Sequence, residues 1–181
     1  MGKVLLSLIG FCFLAGCQIG QPKNAVKVFV NEDGKFPSFL VGRWVSNNED
    51  WEFTFDEEGV ITSAMISMGR VTIIPGQTTT VPMRMGGKGV YEPGEWTVTY
   101  TPSNHQLAVE VEMKQIRAEM GTHILEGSSR DIFVGVVSEE KNEWIADWVS
   151  IPHYTAFVPE PHELPVDPED NAAEIVFKKA K

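Results

Sequence analysis

The chain has 181 residues, 43% of them hydrophobic and 22% charged, which is enough for one packed domain. Its formal net charge of −10 speaks against nucleic acid as a partner. A polyanion binder needs a clustered basic patch to release counterions, and the only such cluster is the short Lys178-Lys179-Ala180-Lys181 run.

The chain opens Met1-Gly2-Lys3 and is almost purely apolar over residues 4–14. A permanent membrane span needs roughly 20 apolar residues, so this run is expected to be a signal sequence, residues 1–16, that is cut off. It ends Leu14-Ala15-Gly16-Cys17, which resembles the lipobox of bacterial lipoproteins: a bulky aliphatic residue, two small ones, then cysteine. The small residues let an extended backbone lie in the peptidase cleft, and the free thiol takes a diacylglyceryl group as a thioether. The resemblance implies cleavage before Cys17, acylation of the new amino group with a chain of the palmitate kind, and a membrane as partner through the covalent lipid. Each buried methylene contributes ~0.8 kcal/mol, so two or more chains hold such a protein to its bilayer. In lipoproteins of this kind an aspartate after the cysteine favours the inner membrane, so Gln18 favours the outer membrane of the cell envelope, on its periplasmic or surface face. Loss of residues 1–16 removes Lys3 alone among the charged side chains, which takes the net charge from −10 to about −11. It removes Cys12 as well, and an acylated Cys17 leaves no disulfide, so a packed core must hold the domain together.

Residues 17–35 read as the lipidated cysteine and a tether, with one apolar knot at 26–30 that packs on the domain as a first strand or short staple. The domain is expected over residues 36–181. From Phe36 onward apolar side chains recur with period two, the mark of half-buried strands. Trp51, Phe53 and Phe55 alternate with Glu52, Thr54 and Asp56 and meet a turn at Glu57-Glu58-Gly59. Trp96, Val98 and Tyr100 repeat the pattern, turn at Pro102-Ser103-Asn104, and continue as Leu107, Val109, Val111 and Met113. Residues 111–120 are the one helix candidate, and the alternation carried on from Leu107 favours a long strand. A third hairpin joins 132–137 to 144–149. Residues 158–171, acidic and rich in proline, are expected to be a loop because proline cannot donate to a ladder. Residues 172–178 then return as a last strand that closes the sheet. The fold class expected is all-β: an antiparallel meander closing into a barrel of about eight to ten strands, which leaves no free edge.

Gly42-Arg43-Trp44, near the start of this meander, resembles the Gly-x-Trp signature of lipocalin-like barrels. The resemblance implies that Trp44 plugs the closed end of the barrel and that Gly42 lets the chain approach closely. Lys178 or Arg130 would replace the arginine that the family commonly stacks on the plug.

Candidate chemistry is sparse. Gly127-Ser128-Ser129 lacks the Gly-x-Ser-x-Gly elbow of a serine nucleophile and reads as a turn. His162, Glu163, Asp167, Glu169 and Asp170 bring hard-cation donors into the acidic loop, weak metal candidates without the regular Asp spacing that wraps an ion. His105 lies in an expected turn, and His123 and His153 have no neighbour at ligand spacing. Met83 and Met85 put two thioethers on one strand face, with Met65, Met68 and Met113 as further Cu(I) donors, although methionine is more often core filler. Trp51, Trp96, Trp144 and Trp148 either line a ligand cavity or fill the barrel interior. No cofactor is expected. These residues point to a lipid-anchored, non-enzymatic envelope barrel that binds a small apolar ligand or an envelope partner. The alternatives are a purely structural or interaction module and an envelope hydrolase using carboxylates such as Asp131 and Asp147 paired across strands.

Overall fold

A computed structural model describes residues 25–32, 34–84, 86–167 and 171–180. The expected signal, Cys17, Gln18, Met85, Glu169 and Asp170 lie outside them. Thirteen strands form one sheet, and helical structure among the described residues is limited to single turns at 38–40, 68–70 and 102–104. The apolar knot is a strand of that sheet, β1 (Val26–Val30). An antiparallel meander follows: β2 (Gly42–Ser46), β3 (Glu52–Phe55), β4 (Ile61–Ile66) and β5 (Val71–Ile73). A hairpin of β6 (Thr79–Pro82) and β7 (Lys88–Pro93) leads into β8 (Trp96–Thr101). Three long strands come next, β9 (Gln106–Met120), β10 (His123–Ser138) and β11 (Glu143–Phe157), of 15, 16 and 15 residues. The helix candidate at 111–120 is thus strand, as its alternation indicated. The chain ends in β12 (Pro161–Glu163) and β13 (Ala172–Lys179).

β13 joins the two halves. It pairs with β11, Phe177 opposite Trp144, and with β2, Lys179 opposite Trp44. The sheet therefore coils around one core, in which Trp144 stacks on Phe177 at 4.6 Å and Phe53 meets Phe133 edge-on at 5.3 Å. Such aromatic pairs contribute about 0.5–1.5 kcal/mol each beyond their buried area. The Trp144 indole N–H is buried among these rings and, among the described residues, has no hydrogen-bond partner. Trp44 is fully buried and donates to the Leu40 carbonyl at 2.8 Å. Gly42 sits at φ 114°, a conformation that side chains disfavour. The cation beside Trp44 is neither of those expected: Lys178 pairs with Glu143 and Arg130 with Glu110 on the surface. It is Lys179, one residue on, whose ammonium donates to the Phe39 carbonyl at 2.8 Å.

Three further expectations are corrected. The sheet does not close into a barrel of about eight to ten strands: its ladder runs from β1 to β5 across a mixed, 13-stranded sheet, with β1 parallel to β8, and no ladder among the described residues joins its ends. Pro82, in β6, has no N–H to give to a further ladder. The acidic loop is interrupted by β12, whose Pro161 stands at the start of an edge strand where a missing donor costs little. Gly127-Ser128-Ser129 is no turn but part of β10.

That stretch of β10 is where the sheet bends. The register shifts between Gly127 and Ser129 on one side of β9 and between Glu92 and Pro93 on the other, both opposite residues 113–116. An extra residue in one strand kinks it and sharpens its twist. β9, β10 and β11 thus run from a core half into a far half that also carries β6, β7 and β12. Gly127 is required at the bend, because a Cβ there would collide with the His153 carbonyl and the Tyr154 backbone of β11. Gly127→Ala is expected to lower stability by about 1–3 kcal/mol in urea unfolding. Wild-type stability in that variant would show that the strands spread at the bend without cost.

Candidate ligand-binding site at the open seam

Where the ladder fails to close, the surface opens into a cleft of about 740 Å³. One wall is Val71 with the turn before it, and the other is Val81, Met83 and Tyr91, with Met120 at the end of β9. Two exposed arginines, Arg70 and Arg84, also line it. Arg70 reaches Glu49 at 3.5 Å, while Arg84 makes no ion pair with a described residue. Gly69, at φ 77° in the turn, lies so close to Tyr91 that a Cβ there would be 3.0 Å from the phenol oxygen. Tyr91 is itself almost wholly buried. Burial raises the pKa of its hydroxyl, so it stays protonated.

A separate, small enclosed cavity of about 40 Å³ is lined by Trp51, Met68, Met113, Tyr154 and Asp131 among others. It has room for one group the size of a water molecule or slightly larger. Asp131 is only 5% exposed. It points inward because it keeps the phase of Phe133 and Val137 along β10. Its carboxylate accepts from the Trp148 indole N–H at 3.1 Å and from the Ser129 hydroxyl at 3.2 Å. Ser150, its Cα partner on β11, supplies a third bond. Burial raises the Asp131 pKa, and these three bonds only partly oppose it. The Tyr154 hydroxyl is pushed up to about 12, mainly by burial and further by the Asp131 charge, against the pull of its bond to Ser129.

The expected site residues fall into separate places. Asp147 is exposed on the outer face, opposite Val134, so it does not pair with inward-facing Asp131. Trp96 and Trp144 belong to the packed interior, Trp96 donating to the Glu112 carbonyl at 2.9 Å. Trp51 and Trp148 lie 6.3 Å apart beside Asp131 and the inner cavity. His162 and Asp167 are exposed, and among the described residues no three His, Cys, Asp or Glu side chains gather at metal-binding distance. Met68 and Met113 border the inner cavity, while Met83 borders the cleft. Ser150, Tyr91 and Tyr154 have no motif in the sequence, and Ser129, weighed there only as a nucleophile, is instead a donor to Asp131. The signal that could have found this place is a carboxylate in phase with the buried side chains of an apolar strand.

The raised Asp131 pKa has a definite stability consequence. Its unfolded carboxyl titrates near 3.9, as aspartate ordinarily does, and the folded one higher, so between those values the native state binds the extra proton. Stability is lost as pH rises through that window and the loss is complete above the folded value. Asp131→Asn keeps an acceptor for Trp148 and cannot ionise. The variant is expected to exceed wild type in urea unfolding at about pH 7, with the gap closing below about pH 4. A gap that stays constant with pH would assign the effect to packing instead. Comparison of the chain with family models, with curated proteins and with solved structures finds no match, so the chemistry of the site rests on these residues alone.

Proposed function

We propose that this chain is a lipid-anchored, non-enzymatic protein of the bacterial cell envelope, at the outer membrane, whose coiled sheet acts as a lipocalin-like calyx opened along one seam. The cleft in that seam takes up a small apolar ligand. The observation that carries this reading is the cleft itself: about 740 Å³, within the ~300–1,000 Å³ usual for small-molecule sites, lined by aliphatic, thioether and aromatic side chains together with Arg70 and Arg84. The anchor rests on the lysine-led apolar run and on Leu14-Ala15-Gly16-Cys17. Binding is preferred to carboxylate hydrolysis because Asp131 and Asp147 face opposite sides of the sheet.

A second reading, an interaction module, has one specific support. Val136, Ile145, Val149 and Ile151 are exposed on the outer face of β10 and β11, Val136 directly opposite Ile145.

Two measurements separate these readings. Mass analysis of the mature product is expected to find residue 17 at its amino end carrying a thioether-linked lipid; an unmodified thiol there removes the anchor. Titration of the mature protein in phospholipid nanodiscs with 11-bromoundecanol, blanked against empty discs, is expected to quench tryptophan fluorescence saturably. Val81→Arg, which puts a guanidinium into the cleft wall, is expected to weaken that binding at least about tenfold. Quenching that never saturates would leave the interaction module.

A further inference from the structure

We propose that the seam cleft binds an amphiphile with an anionic oxygen head, a carboxylate or a phosphate monoester on an alkyl chain, and that Arg70 and Arg84 hold the head. The inference rests on the cleft being a ligand site and adds the charge of the ligand's polar end.

The cleft is opposite in charge to the molecule that carries it. The chain has 25 acidic side chains against 15 basic ones. The only charged residues lining the cleft, among the described residues, are nevertheless Arg70 and Arg84. Tyr91 is the other titratable group in the lining, and burial keeps it neutral. An anion that enters therefore meets two cations and no carboxylate. A concave site of one charge sign with apolar walls concentrates ions of the other sign, because its low-dielectric lining focuses the field.

Both arginines are available to a ligand, for different reasons. Arg43, Arg117 and Arg130 are each paired with a glutamate of the fold: Glu52, Glu126 and Glu110. Arg84 has no ion-pair or hydrogen-bond partner among the described residues. Arg70 has Glu49 at 3.5 Å, but the two side chains are 54% and 72% exposed. Exposed pairs of this kind are weak, so a ligand anion can take the place of Glu49.

The chemistry of the guanidinium sets the kind of head. Its planar fork of N–H donors matches the paired oxygens of a carboxylate or phosphate, and an alcohol offers it only one oxygen without charge. Arg70 stands on the wall that carries Val71, and Arg84 on the wall that carries Val81 and Met83. The same two walls thus supply cations for the head and aliphatic and thioether surface for the chain.

The test is calorimetric titration of the mature protein in phosphatidylcholine nanodiscs, blanked against empty discs, with octanoate, octyl phosphate and octanol at pH 7.5. At that pH both acids are ionised. Expected is a preference of at least about tenfold for one or both anions over octanol at low salt. It should shrink as sodium chloride rises to 1 M, where the screening length falls to about 3 Å. The anion that binds more tightly identifies the head as carboxylate or phosphate. Arg70→Gln with Arg84→Gln, shown folded by urea unfolding, should bring the anions to parity with octanol and leave octanol itself unchanged. Glu49→Gln, which releases Arg70, should strengthen anion binding about threefold without altering octanol. Octanol binding as tightly as both anions in the wild type, or an anion preference that survives loss of both arginines, overturns the head site while leaving the cleft. Binding of none of the three overturns the head site and the cleft together.

Discussion

β13 gives both of its edges to ladders, and the molecule depends on that. On one side it meets β11, on the other β2, and its inward residues Ile175 and Phe177 drive into the aromatic core between them. Without those two ladders the β2–β5 meander and the β8–β11 strands would be separate sheets, each with an apolar face turned to water. The stack of Phe177 on Trp144 couples the join to the core, because burying the one ring requires the other. The same coupling explains how an unpartnered indole N–H is tolerated at Trp144: its cost, about 1–3 kcal/mol, is small beside the burial of the cluster around it.

What the sequence makes legible is local, and what it hides is pairing. Trp51, Phe53 and Phe55, or Leu107 through Met113, announce strands because period-two alternation is a property of neighbours in the chain. The long strand at 111–120 was readable for the same reason. Nothing local says that β1 will lie parallel to β8, that β13 will insert between β11 and β2, or that β5 and β6, consecutive in the chain, will stay unpaired. A barrel is the simplest way to remove sheet edges, and a proline in an edge strand, such as Pro82, is a way to blunt one. The site shows the same division. Asp131 could be picked out as a carboxylate in a strand, but its partner was sought at Asp147, where the alternation of β11 turns the side chain outward. Ser129, Ser150, Trp148 and Tyr154 converge only through the register of β10 with β11.

Two kinds of interior coexist in the molecule. Around Trp144, Phe53, Phe133 and Phe177 the rings touch one another and fill the space. A few residues away, at Trp51 and Trp148, the same aromatic material borders a carboxylate and a void. The change falls where an inward aliphatic or aromatic side chain gives way to Asp131 and then Ser129 along β10. A polar group at that depth weakens the fold whenever it ionises, which sets the region apart from a core built for stability alone.

The bend at residues 113–116 of β9 has a mechanical aspect. Val71 and Arg70 belong to the half of the sheet that holds the core, while Val81, Met83, Tyr91 and Met120 belong to the half beyond the bulges. The two jaws are thus mounted on opposite arms of one continuous ribbon. The β10–β11 ladder runs without a break across that bend, from Ile124 opposite Phe157 to Ser138 opposite Glu143, so the spacing of the two jaws is set by strands common to both arms.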